Sequence, residues 1–460
     1  MSGARPQAGD RQLHFGLNVL SDGMHPAAWQ HPSAEPTWFT DPAYWINLAH
    51  IAERGTLDAL FLADSPSLFQ PPDQPLVAPP LALDPIVLLS TLASVTTHLG
   101  LIGTVSTSFE EPYNLARRFA SLDHLSRGRV AWNVVTSSDP YAWNNFGRAG
   151  STPAQPPRDE RYRRAAEFVD IVRALWDSWD DDAVLADKRT GAFSRVGSIN
   201  TIGHRGEFFS VDGPLTLPRP PQGHPVLFQA GGSAGGLDLA ARYADGVFAA
   251  QASLPDAVRY AEELRARTVA HGRPRDAIRI MPGLSFVLGS TEEEAHRRHR
   301  ELNELAGERR LAHLAGQLSV DPAELDWDKP LPQWLIDGAE TTVGSQGARD
   351  IVVNLARRER LTVRQLLDRV ITWHRLVVGS PEQLADAIEE WFVAGAVDGF
   401  NLMPDVFPSG LELFVDHVIP ILRDRGLFRR EYRHTTLRGH LGLSRVPDRR
   451  AALTAHASGL

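Results

Sequence analysis

Polar side chains recur where short apolar runs stop. ALFLAD ends in Asp64, LGLIGTVS carries Thr104 and Ser106, and RVAWNVVTS carries Asn133, Thr136 and Ser137. PVLFQAG contains Gln229 and opens into Gly231-Gly232-Ser233-Ala234-Gly235-Gly236. Taken singly, each is an ordinary cap or turn residue. Taken together, they are carboxyl, hydroxyl and amide groups at the ends of successive runs, which converge on one ligand if the runs are parallel neighbours. The glycine run has three readings. Between a strand and a helix it lets backbone N–H groups approach a phosphate, helped by the helix dipole. It also fits the G-x-S-x-G elbow of a serine hydrolase, with Ser233 as nucleophile. It could equally be a tight turn without a ligand. No HGGG-type oxyanion motif precedes it, and Asp245 and His374 have no triad context.

Arg158 and Tyr162 are four apart at the start of a long amphipathic segment, hence on one helix face. A guanidinium and a phenol there suit a phosphate or carboxylate, although the neighbouring Asp159, Glu160 and Arg161 also fit a solvated first turn. Metal chemistry is poorly supported. His296 and His299 stand in a run of charge, EEEAHRRHR, and HExxH does not occur. His25, Trp29, His31 and Phe69 fall in early loops and are candidates for a substrate pocket.

Eight apolar runs must position these groups. They are Leu13 to Leu20, Ala59 to Asp64, Leu99 to Ser106, Arg129 to Ser137, Pro225 to Gly231, Asp245 to Gln251, Ile278 to Leu288 and Asp398 to Met403. Helical patterns separate or follow them. Asp84-Pro85 supplies a cap and a first-turn proline, and Ala165, Phe168, Val169, Val172, Leu175 and Trp176 recur at three and four. Continuous apolar strands alternating with helices predict an α/β chain, a (β/α)8 TIM barrel with insertions. A doubly wound open sheet is the alternative. The expected organisation is one barrel domain over 1–428, with insertions at about 180–224 and 305–373. A C-terminal extension over 429–460 would be an arm on a neighbour or a frayed tail.

The composition is compatible with that size of core. The chain has 460 residues, 43% hydrophobic and 22% charged, with a formal net charge of −9. An acidic balance argues against nucleic acid or an anionic membrane as main partner. The absence of cysteine removes thiol nucleophiles, thiolate metal sites and disulfides, and suits a cytoplasmic location. The opening MSGARPQAGDRQ lacks an apolar core, so no secretory signal is expected.

The blocks DALFLAD, DPIVLLSTLASVT, LGLIGTVSTSFEEPYNLARRFASLDHLSRGRVAWNVVTS, RDERY, GEFFSVDGPL and PVLFQAGGSAGG resemble the bacterial-luciferase-like flavin monooxygenases. The similarity runs from about Leu13 to Phe428, in the branch of nitrilotriacetate monooxygenase component A and the dibenzothiophene-sulfone monooxygenases. It implies a TIM barrel binding FMN as FMNH2 at the strand ends. It further implies the oxygenase half of a two-component system, fed by a separate NAD(P)H-dependent flavin reductase. A flavin C4a-(hydro)peroxide would oxygenate a small organic substrate, an aminopolycarboxylate, a sulfone or similar. Asp64, Thr104, Asn133, Tyr162, Gly232 and Ser233 match family cofactor positions. Arg158 stands where several relatives have histidine. The family pattern is a homodimer or homotetramer, with no metal and no obligatory acid or base to name. A serine hydrolase, or a flavin-binding protein without turnover, are the competing functions.

Overall fold

The computed structural model describes residues 11–35, 37–68, 83–147, 155–338, 346–371 and 373–448. Phe69 lies outside them. Ten strands carry the argument: β1 (His14–Val19), β2 (Ala59–Leu62), β3 (Gly100–Ser106), β4 (Val130–Val135) and β5 (Val226–Ala230), then β6 (Gly246–Phe248), β7 (Arg279–Ile280), β8 (Gly283–Leu288), β9 (His374–Gly379) and β10 (Gly399–Pro404). Their order is β7-β6-β5-β4-β3-β2-β1-β10-β8-β9, with all pairs parallel. β7 borders β6, and past Pro282 the same run continues as β8 beside β10. Asp398 N–H also donates to the Ile280 carbonyl at 2.8 Å. That one stretch of chain therefore closes the sheet into a TIM-barrel-like cylinder.

All eight expected strands are present, β7 and β8 together forming the seventh. β9 is an addition that sequence reading missed. Its residues HRLVVG are only half buried along their length and include Arg375, so no continuous apolar run marks them. Helix starts follow the predicted chemistry. Asp84 accepts from the Val87 N–H at the head of α1 (Pro85–Val95), and Pro85 needs no donor there.

Strand parity builds two layers. Leu101, Val105, Trp132 and Val134 face outward into the main core against the helices. Ala59, Phe61, Ile102, Ala131 and Phe228 face inward and fill the foot of the lumen. Leu437 and Leu441 close that foot from below. The segment 429–448 is thus neither an arm nor frayed. Arg438 pairs with Asp245 at 2.8 Å, and buried Arg429 pairs with buried Asp58. The insertion near 305–373 holds a second apolar cluster of its own, running from Leu311 to Leu366.

Candidate functional site

Going up the lumen, the inward positions of β3 and β4 change from apolar to polar, whereas on β8 and β10 Ser285 and Asn401 are followed by the apolar Val287 and Met403. On β3, Ile102 is followed by Thr104, and on β4, Ala131 is followed by Asn133. The register sets Thr104 directly opposite Asn133, and the Asn133 amide donates to the Thr104 hydroxyl at 2.9 Å. The Asn133 carbonyl oxygen is then left buried without a partner. The same holds for Asn18 Oδ1 on β1, Ser285 Oγ on β8, His374 Nδ1 on β9 and Asn401 Oδ1 on β10. A buried polar atom left unpaired costs about 1–3 kcal/mol, so these atoms are candidates to meet a bound polar ligand. Asn18, Ser285 and Asn401 escaped the sequence reading, which looked only at strand ends. Ser285 and Asn401 are each the lone polar residue on the inner parity of an apolar strand, and Asn18 shares its parity with His14 at the start of β1.

Asp64 follows β2 at the mouth. Burial pushes its carboxyl up to about 6, and the nearby Asp84 carboxylate acts in the same direction. Ser106 and Ser137 face each other, hydroxyl to hydroxyl, at 2.8 Å. Gln229 has the opposite parity to Phe228. Its amide lies under Gly231, with Oε1 unpaired.

The glycine turn caps α3, for which α2 (Arg158–Trp176) provides the neighbouring wall and α3 itself spans Ala234–Tyr243. Ser233 Oγ accepts from the Gly236 N–H at 3.3 Å and lies 3.0 Å from the Tyr162 hydroxyl. A Cβ on Gly235 would come within 2.8 Å of the Tyr162 ring, whereas a Cβ on Gly232 would meet open space. The turn is thus pressed against Tyr162 on one side and vacant on the other, which suits an anion over the N–H groups. Arg158 is exposed in the first turn of α2, one turn before Tyr162. Arg161 instead turns inward and donates to the Thr136 and Ser137 carbonyls at 3.1 and 2.7 Å, tying α2 to the end of β4.

The hydrolase geometry is not built. Ser233 has ordinary extended backbone (φ −77°, ψ 160°) rather than the strained elbow conformation, and its hydroxyl is engaged by Tyr162 and its own helix. The structure brings His25 and Trp29 to one small cavity beside β1, together with Asp22 and Trp38. His31 is outside that lining and bonds Ser33 instead. A cleft of about 960 Å³ lies at the opposite pole among Arg11, Arg279, Arg429 and Arg433. The candidate site is the mouth, because barrels assemble sites at the carboxyl ends of their strands.

Residues 20–398 match the model of the luciferase-like monooxygenases. Nitrilotriacetate monooxygenase component A of Aminobacter aminovorans is 42% identical over 451 residues, covering 95% of this chain and 97% of the relative. Dibenzothiophene-sulfone monooxygenase of Rhodococcus erythropolis is 37% identical over 451 residues, covering 95% and 98%. A riboflavin lyase solved with modified FMN and riboflavin superposes with a TM-score of 0.82 at 34% identity, covering 95% of this chain and 97% of that one. The chain belongs to the luciferase-like monooxygenase family.

Proposed function

We propose that this monooxygenase works as the FMNH2-dependent oxygenase of a two-component system, supplied by a separate NAD(P)H-dependent flavin reductase. The observation that carries the reading is the set of unpaired buried polar atoms on the inner faces of β1, β4, β8 and β10, beside a glycine turn at a helix N-terminus that is open on one side. The donor set fits a reduced flavin nucleotide. Thr104, Asn133 and Asp64 would hold the polar edge of the ring system. Tyr162, Gly232 and Ser233 would hold the phosphate, with Arg158 adding charge from the rim. When bound there, reduced flavin would supply the electrons for dioxygen activation, one oxygen atom going to the substrate and the other to water.

The protein's own work is binding, orientation and exclusion of water. The Asn133–Thr104 bond fixes which amide oxygen faces the lumen. Burial keeps Asp64 poised between charge states, so a ring N–H placed against it meets a strong acceptor. Arg161 locks the Thr136–Ser137 rim over the same opening. Relatives named for nitrilotriacetate and dibenzothiophene sulfone point to a small organic substrate, an aminopolycarboxylate or a sulfone among them. Purified protein supplied with a flavin reductase, NADH, FMN and O2 should consume oxygen and oxygenate such compounds. If a panel of these substrates gives only hydrogen peroxide while FMNH2 is bound, the chain binds flavin without this turnover.

A further inference from the structure

Directly above β1 the chain turns through Ser21, Asp22 and Gly23 towards the loop that carries His25 and Trp29. Asp22 is 1% exposed. Its Oδ1 accepts the Tyr44 hydroxyl at 2.6 Å, and its Oδ2 has no hydrogen-bond partner. Among the described residues no cation pairs with it. The groups acting on it are Tyr44 and Glu35, the latter through both its backbone and its carboxylate. Burial, reinforced by the Glu35 carboxylate, pushes Asp22 up to about 7 against the pull of Tyr44.

The carboxyl borders a cavity of about 20 Å³, which is the room one water-sized group needs. Ser21, His25, Trp29 and Trp38 contribute to its walls. Trp38 is fully buried, while Trp29 is 41% exposed and forms the side open to solvent. His25 cannot serve as counter-ion. Its Nδ1 accepts from the Ala27 N–H at 3.2 Å, so Nε2 carries the proton and donates to Asn303 at 3.0 Å. Burial holds the ring neutral, with its pKa lowered to about 3.

An uncompensated carboxyl among indole rings, with space for one small head group, has the chemistry that captures an organic ammonium. The carboxylate supplies the charge and the aromatic faces add cation–π attraction. We propose that the Asp22 cavity binds a primary ammonium head, and that the substrates of this enzyme are small amines anchored there beside the barrel mouth. The anchoring of a substrate rests on the monooxygenase reading, but the binding of an ammonium does not.

The test titrates the full chain with methylammonium chloride, followed by tryptophan fluorescence, with methanol as the neutral probe of similar size. The expected result is saturable methylammonium binding that tightens between about pH 6 and about pH 8.5, as Asp22 loses its proton to solvent and presents a carboxylate to the cation. Asp22→Asn keeps an acceptor for Tyr44 and should weaken binding at least about tenfold and flatten its pH dependence. Trp29→Ala should weaken it as well. Circular dichroism checks that each variant is folded. Absence of saturable binding by the wild-type chain, an Asp22→Asn affinity equal to wild type, or equal binding of methanol would overturn the proposal. A parallel FMNH2 titration reports on the flavin reading independently, so one can fail while the other stands.

Discussion

Asp64 and Tyr162, both proposed to hold the cofactor, do so by opposite means. Asp64 is a carboxyl that burial makes costly to charge, and its folded value of about 6 lies above that of an exposed aspartate. Stability is therefore intact at low pH and is lost as pH rises through that window, the charged form being the one burial penalises. Asp64→Asn should raise the melting temperature of the ligand-free chain near pH 7.5 and leave it unchanged near pH 4. Thermal denaturation at the two pH values checks this. Tyr162 instead supplies a hydroxyl to Ser233 at 3.0 Å. Tyr162→Phe and Arg158→Ala should each weaken FMNH2 binding by about 1–3 kcal/mol, the scale of a lost hydrogen bond to a charged group. Unchanged affinity in both, measured by anaerobic titration, would move the phosphate away from α2. The sequence singles out Asp64, Thr104, Asn133 and Ser233 as polar groups in or after apolar runs, and Tyr162 by its spacing from Arg158. It does not single out Asn18, Ser285 and Asn401, which acquire meaning only when strand parity turns them to the inner face.

The glycine turn leading into α3 separates two roles that look alike in the sequence. Neither Gly232 nor Gly235 has a positive φ, so neither is required for backbone reasons. Gly235 is required by contact, since a Cβ there collides with the Tyr162 ring. Gly232 meets nothing within the protein. Gly235→Ala should therefore displace Tyr162 and lower both melting temperature and FMNH2 affinity. Gly232→Ala should leave melting unchanged and lower affinity only, because only the bound phosphate would meet its methyl group. Equal effects of the two variants on both measurements would contradict this division. The same element shows why the hydrolase pattern was misleading. Five letters fit an elbow, but the local backbone is relaxed and the serine is spent on capping. β9 shows the converse limit. Its half-exposed pattern and internal arginine hide a strand that only the pairing with β8 defines.

At the scale of the whole molecule, the two ends of the barrel divide their labour. The upper end carries Asp64, Ser106 and Ser137 at its strand ends, while the lower end is plugged by Leu437 and Leu441 and tied by the Arg429–Asp58 and Arg438–Asp245 pairs. Burial alone would raise the Asp58 carboxyl. The Arg429 guanidinium and His14 overcome that and hold it below the usual carboxylate range, and the Phe15 N–H donates to it at 2.7 Å. A depressed carboxyl contributes stability above its unfolded value and loses it as pH falls towards its folded one, so this pair contributes to acid unfolding. Arg429→Ala leaves Asp58 buried without its main partner and should cost about 3–5 kcal/mol. Denaturant unfolding measures the loss, and FMNH2 affinity extrapolated to the folded fraction should not change. The eight-unit barrel was legible because buried parallel strands read as unbroken apolar runs. The role of the C-terminal segment was not, because its arginines find their acids, Asp58 and Asp245, hundreds of residues earlier in the chain.

The central claim is that the polar mouth of this cylinder holds a reduced flavin nucleotide. Anaerobic titration of the purified chain with FMNH2, followed by flavin fluorescence or calorimetry, tests it most directly. The account predicts saturable binding of one FMNH2 per chain, weakened by Asn133→Ala and by Tyr162→Phe. A folded chain that shows no saturation, or one that binds equally well with both residues replaced, would contradict it.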